Sequence, residues 1–122
     1  MTPQQYLDAL SKKLEEMAEV VLASIIQREV DETLGAGFVK GRVTFLDGSI
    51  LEFSEQLPVE RQHYRIHYMD SQNALIVRWD SAPHHPELDT FPFHRHTPAG
   101  VEGHPAVTVL ESLEHVRGML NL

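Results

Sequence analysis

The feature that most constrains the fold is the Asp-Gly pair at residues 47–48, which lies between two runs of apolar and β-branched residues. Asp-Gly in this setting is a strong signal for a β-hairpin. A two-residue turn would mix apolar and polar side chains on each face of the hairpin. A three-residue loop with a left-handed glycine pairs Val43 with Leu51 and places Phe45 and Phe53 on one face. Because the buried face fixes the register of a hairpin, we predict the three-residue loop.

A second hairpin is predicted after Pro58, because apolar and polar side chains alternate along residues 64–69 and again along residues 75–80. Alternation with a period of two places one set of side chains on each face of a strand. One face of this hairpin is therefore apolar. The opposite face is predicted to carry charged and titratable side chains, namely Arg65, His67, Arg78 and Asp80.

Both ends of the chain are predicted to be helical. Residues 2–5 and residues 108–111 each have the spacing of a capping box, with Thr followed three positions later by Gln or Glu. Apolar residues then recur at helical spacing as far as Ile25, and two glycines ten and more residues later mark the latest end of the first helix. We predict an N-terminal helix within residues 1–34 and a C-terminal helix over residues 108–121.

The segment between the second hairpin and the last helix, residues 81–107, shows no periodicity. It holds five of the seven prolines and five of the eight histidines. Loops longer than about 12–15 residues are uncommon in compact domains and are usually functional or disordered. Apolar anchors at Leu88, Phe91 and Phe93 favour an ordered loop, and therefore a functional one.

These elements predict a single domain of the α+β class over residues 1–122. Its centre is a four-stranded antiparallel sheet over residues 38–80. The N-terminal and C-terminal helices cover one face of this sheet, and the long His/Pro-rich loop of residues 81–107 follows the fourth strand.

Composition excludes several classes of function. The net charge is -8, which argues against a nonspecific coat on DNA or RNA. The chain has no cysteine, so disulfides, thiolate catalysis and cysteine-based zinc sites are ruled out. No apolar run reaches the ~18–20 residues of a membrane span, and the first residues lack the layout of a signal peptide. We therefore expect a cytoplasmic protein with no membrane partner.

The polar sheet face and the His-rich loop together hold the parts for acid–base chemistry on a phosphodiester. Histidine gives or takes a proton near neutral pH, and arginine stabilises the negative charge of a phosphoryl transition state. The base would be His84 or His85. The acid would be His94 or His96, with Asp80 orienting an imidazole. The candidate catalytic residues are thus Asp80, His84, His85, His94 and His96, and the candidate substrate-binding residues are Arg65 and Arg78.

Metal binding is an alternative use of the same histidines. His94 and His96 form an H-x-H pair, whose side chains point to one side of an extended segment. With His84 or His85 and a nearby carboxylate they would supply three or four nitrogen and oxygen ligands, which suits zinc, nickel or iron. A plainer alternative is that the polar face is merely solvated and that the loop histidines make structural hydrogen bonds.

The order of motifs in the second half of the chain resembles the TumE-like family of small prokaryotic toxins. The resemblance rests on Arg78-Trp79-Asp80, on Ala-Pro-His-His-Pro at residues 82–86 and on Phe-Pro-x-His-x-His at residues 91–96. The stretch Gly41–Ser49 and the closing helix are similar as well, so that the resemblance covers about residues 38–120.

This resemblance implies a toxin of a type II toxin–antitoxin pair, with a helix-turn-helix antitoxin as its protein partner. It makes candidates of the motif positions Arg78, Asp80, His84, His85, His94 and His96, and it leaves the reaction open. The predicted N-terminal helix is long for the family, which points to a homo-oligomer contact.

We therefore expect a toxin that acts as a metal-independent ribonuclease, with RNA as its substrate and no cofactor. The acidic net charge counts against this prediction, because proteins that bind RNA usually carry a basic surface. One alternative is a metalloenzyme, or a protein with a structural metal site, that binds zinc or another divalent metal through His84, His85, His94 and His96. The other is a non-enzymatic interaction module that uses the loop as a docking surface.

Overall fold

A computed structural model describes residues 1–122 and contains a seven-stranded antiparallel sheet with two helices. The strands follow one another across the sheet in chain order. They are β1 (Val21–Asp31), β2 (Ala36–Phe45), β3 (Ile50–Leu57), β4 (Tyr64–Met69), β5 (Leu75–Asp80), β6 (His94–Thr97) and β7 (Gly100–Gly103). The helices are α1 (Pro3–Glu16) and α2 (Val109–Met119). The α+β class is as expected, but the prediction of four strands was wrong.

One additional strand, β1, comes from the region that was predicted to continue the first helix. The helix ends at Glu16, and Val21–Asp31 pairs along its length with β2. This segment is rich in β-branched residues, which favour strands because their side chains are stiff at χ1. Gly35, with φ of +62°, belongs to the hairpin turn between β1 and β2 and does not end a helix. The long helix on which a homo-oligomer contact was predicted is therefore not present.

The other two additional strands, β6 and β7, lie inside the predicted 81–107 loop. β6 pairs with β5, and β7 pairs with β6. Each has only four residues, and neither alternates apolar with polar side chains in the way that reveals a half-buried strand. The His/Pro-rich connection after β5 is thus shorter than expected and ends at Phe93.

Two local predictions are confirmed. In the β2–β3 hairpin Val43 pairs with Leu51, and Gly48 adopts a left-handed conformation with φ of +85°. Both helices begin with complete capping boxes, at Thr2 and at Thr108. Local chemistry determines these features, which is why they can be read from a few residues.

Both helices pack on one face of the sheet and form the core with it. α1 contributes Tyr6, Leu7 and Leu10, and α2 contributes Val109, Leu113 and Val116. The sheet contributes side chains from β2 to β5: Val39, Val43, Phe45, Leu51, Phe53, Leu57, Tyr64, Ile66, Tyr68, Val77 and Trp79. The other face carries no helix, and we call it the open face. Neither helix is long and apolar enough to cross a membrane.

A buried carboxyl, Glu55 of β3, connects the sheet to both helices. It accepts a hydrogen bond of 2.6 Å from the Tyr6 hydroxyl of α1 and one of 3.3 Å from the Val109 N–H at the start of α2. The Leu110 N–H in turn donates to the Tyr6 oxygen at 3.2 Å. Burial raises the pKa of Glu55 to about 7, although both hydrogen bonds act in the opposite direction.

The raised pKa of Glu55 predicts that the protein loses stability as the pH rises. The folded state holds this proton more tightly than the unfolded chain, so the free energy of unfolding should fall between the ordinary pKa of 4.5 and about 7. The loss attributable to this group is about 3 kcal/mol. Glu55→Gln, which cannot ionise, should remove most of the decline, as measured by urea unfolding between pH 5 and pH 8.

Glu52→Gln is the matched control, because Glu52 lies on the same strand but faces away from the core. It should keep the pH dependence of the original protein. If the Glu55→Gln curve runs parallel to that of the original protein, Glu55 does not carry the effect.

Candidate active site

The registers of β3 to β6 arrange polar side chains on the open face in two rows that run across the strands. One row consists of Glu52, His67, Arg78 and His96. The other consists of Ser54, Arg65, Asp80 and His94. Residues directly opposite each other on neighbouring strands have Cβ atoms about 4.5–5.5 Å apart. The prediction that Arg65, His67, Arg78 and Asp80 share a face is therefore confirmed, and β6 adds two histidines to it.

Three histidines meet at one end of these rows. His94 and His96 project from β6, and His85 reaches them from the connection after β5. The ring centroids are 4.8 Å apart for His94 and His96, 4.9 Å for His85 and His94, and 5.9 Å for His85 and His96. One nitrogen of each ring lies within 4.8 Å of the others. We call this group the three-histidine cluster.

Asp80, the last residue of β5, connects the cluster to an arginine. Its Oδ1 accepts a hydrogen bond of 2.6 Å from the Ala82 N–H and lies 3.5 Å from His94 Nε2. Its Oδ2 lies 3.6 Å from Arg78 Nε. The carboxylate is largely buried, so these cationic or potentially cationic neighbours stabilise its negative charge.

Two rings of the cluster are held through their Nδ1 atoms. His94 Nδ1 lies 2.9 Å from the Pro92 carbonyl oxygen, and His85 Nδ1 lies 3.2 Å from the Glu87 carboxylate. A carbonyl and a carboxylate can only accept, so each Nδ1 carries a hydrogen. The Nε2 atom of each ring therefore points away from that acceptor. In the neutral ring, Nε2 carries the lone pair that can accept a proton.

Burial and neighbouring positive charges lower the pKa of two histidines of the open face. Burial, and then the positive charges of Arg78 and His94, lower the pKa of His96. Burial, and then Arg65 and Arg78, lower the pKa of His67. Near neutral pH both imidazoles are therefore unprotonated, and His96 has the form that a general base requires.

Two members of the open face have buried nitrogen atoms without a hydrogen-bond partner. These atoms are Arg78 Nε and His67 Nδ1. Arg78 Nε approaches Asp80 only at 3.6 Å, which is longer than a hydrogen bond. Since buried polar atoms are nearly always paired, these two are candidates for contact with a ligand.

The structure does not bring all the candidate residues together. His84 is exposed and lies outside the three-histidine cluster, although it precedes His85 in the sequence. Arg65 is exposed and lies on β4, in the same row as Asp80, and β5 separates it from the histidines of β6. Sequence reasoning missed the Pro92 carbonyl, because no residue type reveals where a backbone oxygen points.

A comparison with protein-family models gives one match, to a model described as Toxin TumE, over residues 10–120. The chain belongs to the toxin TumE family. No curated protein and no solved structure shows significant similarity to it. The match spans nearly the whole chain, including β1 and the second half of α1, and it confirms the resemblance noted from the shorter motifs. The family name says that its members are toxins, but it does not name a reaction. The chemistry of the three-histidine cluster must therefore be inferred from its geometry.

The electrostatics of the open face can be tested by changing Arg78. Because its positive charge is one cause of the lowered pKa of His96, Arg78→Gln should raise that pKa. NMR titration of the His96 ring protons measures the change. Arg42→Gln is the control, because Arg42 lies on the same face but on β2, with three strands between it and His96 on β6. It should leave the pKa of His96 unchanged. An unaltered His96 titration in Arg78→Gln would contradict the arrangement.

Proposed function

We propose that this member of the toxin TumE family acts in the cytoplasm by cleaving RNA at the three-histidine cluster and that a helix-turn-helix antitoxin restrains it. The observation that supports the proposal most is the meeting of a neutral imidazole, His96, with a second imidazole and a guanidinium on one uncovered sheet face. These are the groups that a phosphodiester cleavage without a metal needs.

The geometry favours His96 as the general base and His85 as the general acid. His96 has a lowered pKa and is partly exposed, so it can take a proton from a bound substrate near neutral pH. His85 is also partly exposed, and the contact of 3.2 Å between its Nδ1 and the Glu87 carboxylate orients its ring, so we assign it the donation of the proton to the leaving group. His94 has a side chain that is only 1% exposed, so we assign it a positioning role.

In the proposed reaction His96 removes the proton of an RNA 2′-hydroxyl, whose oxygen attacks the adjacent phosphorus. The bond between phosphorus and the 5′-oxygen breaks, and the leaving oxygen takes a proton from His85. The products are a 2′,3′-cyclic phosphate and a free 5′-hydroxyl. Arg78, whose Nε has no hydrogen-bond partner in the folded protein, would stabilise the extra negative charge on the phosphate.

The net charge of -8 does not prevent RNA binding if positive charges are concentrated on the open face. Four of the ten lysines and arginines lie on it, Lys40, Arg42, Arg65 and Arg78, and the two rows that hold them contain two carboxylates, Glu52 and Asp80. Two further carboxylates on this face, Glu29 and Asp31, lie outside these rows on the outer strand β1. A groove of about 400 Å³ lies beside Lys40, Arg42, Ser54 and Arg65. A locally basic surface on an acidic protein is sufficient to bind a phosphate backbone.

Single alanine substitutions test the proposal. His85→Ala and His96→Ala should each lower the rate of RNA cleavage by roughly 10²–10⁴-fold, the usual effect of losing an acid or a base. Both should also abolish growth inhibition when the protein is expressed without its antitoxin. Cleavage is measured on a fluorescent single-stranded RNA in the presence of EDTA.

His84→Ala is the matched control, because His84 neighbours His85 in the sequence but lies outside the cluster. It should retain both activities. If His84→Ala inactivates the toxin as strongly as His85→Ala, the assignment of the acid is wrong. If growth inhibition persists in His96→Ala and no RNA is cleaved by the original protein, cleavage at this cluster is not the toxic activity.

A further inference from the structure

We propose that the three-histidine cluster binds one divalent transition-metal ion, zinc by ligand preference, with Asp80 Oδ1 as the fourth ligand. The ion would occupy the nitrogens that the proposed cleavage uses for proton transfer. Metal binding itself does not depend on the proposed function. Only its consequence, inhibition of cleavage, rests on that proposal.

The spacing of the ligand atoms supports the site. Zinc binds imidazole nitrogen at about 2.0–2.1 Å, so neighbouring ligands of a tetrahedral ion lie roughly 3.4 Å apart. His94 Nε2 and Asp80 Oδ1 are already 3.5 Å apart. The ligand atoms of His85, His94 and His96 lie within 4.8 Å of one another, so that a small rotation of the partly exposed His85 and His96 rings would close the site.

The hydrogen bonds behind the rings are those of metal ligands. A histidine that binds a metal usually donates its other N–H to a carbonyl or a carboxylate, which fixes the ring and makes it more basic. His94 has this partner in the Pro92 carbonyl, and His85 has it in Glu87. A histidine with only a structural role needs one such hydrogen bond. It does not need a second anchored imidazole whose nitrogen lies close to its own.

The charge between His94 and Asp80 supports the site independently. Because His94 Nδ1 already carries a hydrogen, a neutral His94 ring has a lone pair on Nε2, and that atom faces the Asp80 oxygen at 3.5 Å. Two acceptors that face each other in a buried site repel unless a cation lies between them. That cation is either a proton or a metal ion. Arg78 lies beside the other carboxylate oxygen, and the Ala82 N–H uses one lone pair of Oδ1, so the second lone pair of Oδ1 is available to an ion.

Ligand chemistry selects the class of metal. Three imidazoles and one carboxylate suit zinc and its neighbours in the first transition series. Magnesium and calcium prefer sites made entirely of oxygen ligands, and they should not bind here. The absence of cysteine means that no thiolate competes for the same ion.

The test is isothermal titration of full-length, untagged protein with ZnCl₂ after treatment with a chelator. We expect one zinc ion per chain and no heat of binding with MgCl₂. His85→Ala and His96→Ala should weaken zinc binding by at least about 100-fold, while Glu87→Gln, which removes only the anchor of His85, should weaken it by about tenfold. Circular dichroism confirms that each variant is folded. Cobalt(II) should give the intense visible bands of a tetrahedral ion.

His104→Ala and His84→Ala are the controls, because both histidines lie outside the cluster. They should bind zinc as tightly as the original protein. The proposal is overturned if zinc does not bind with a stoichiometry of one, or if the controls lose affinity as much as His85→Ala and His96→Ala.

Adding zinc to the RNA cleavage assay separates the two proposals. We expect one equivalent of zinc to inhibit cleavage and EDTA to restore it. If zinc does not bind while RNA is cleaved, the metal site is wrong and the proposed function stands. If zinc binds but RNA is cleaved neither with nor without it, the proposed function is wrong and the metal site stands.

Discussion

The pairing of β5 with β6 is the constraint on which the chemistry of this protein depends. It places His94 opposite Asp80 and His96 opposite Arg78, and a shift of one residue would turn both histidines to the helix-covered face. The buried side chains of Val77 and Trp79 fix which face of β5 turns toward the helices, so Arg78 and Asp80, and the histidines paired with them, lie on the other face. Packing on one face of the sheet thereby fixes the geometry of titratable groups on the other.

The open face is maintained at an energetic cost. Asp80 and His94 are buried, and Arg78 Nε and His67 Nδ1 have no hydrogen-bond partner. A fold selected only for stability would replace such groups with apolar ones, because buried polar atoms without partners cost roughly 1–3 kcal/mol each. The two helices and the buried core on the other face offset this cost. Trp79 Nε1 on the covered face is also unpaired, so it is the position of Arg78 Nε next to the histidine cluster, and not the lack of a partner alone, that supports a ligand site.

Features of this structure that depend on residues close together in the sequence could be predicted, whereas features that depend on pairing between distant segments could not. The Asp-Gly hairpin, the two capping boxes and the face shared by Arg65 and Arg78 follow from neighbouring residues, and all were predictable. β1 was mistaken for helix because Val21 and Ile25 fit a helical spacing as well, and only pairing with β2 decides between the two. β6 was missed because His-Arg-His-Thr carries no apolar alternation, although H-x-H correctly placed two imidazoles on one side. Nothing in the sequence distinguishes His84 from His85, since the path of the connection after β5 selects between them.

Under the two proposals, proton transfer and metal binding would use the same side chains, with either a proton or a metal ion at the same position. The Pro92 carbonyl forces the Nε2 atom of His94 toward Asp80, and this contact is stable only with a positive charge in between. If the charge is a proton, the positive charge of His94 would add to burial and to Arg78 in lowering the pKa of His96, the proposed base. If the charge is a metal ion, the lone pair of His96 would bind that ion and could no longer accept the substrate proton. The same buried contact would therefore govern both activity and its inhibition, and changing the occupant changes the function without any movement of the fold.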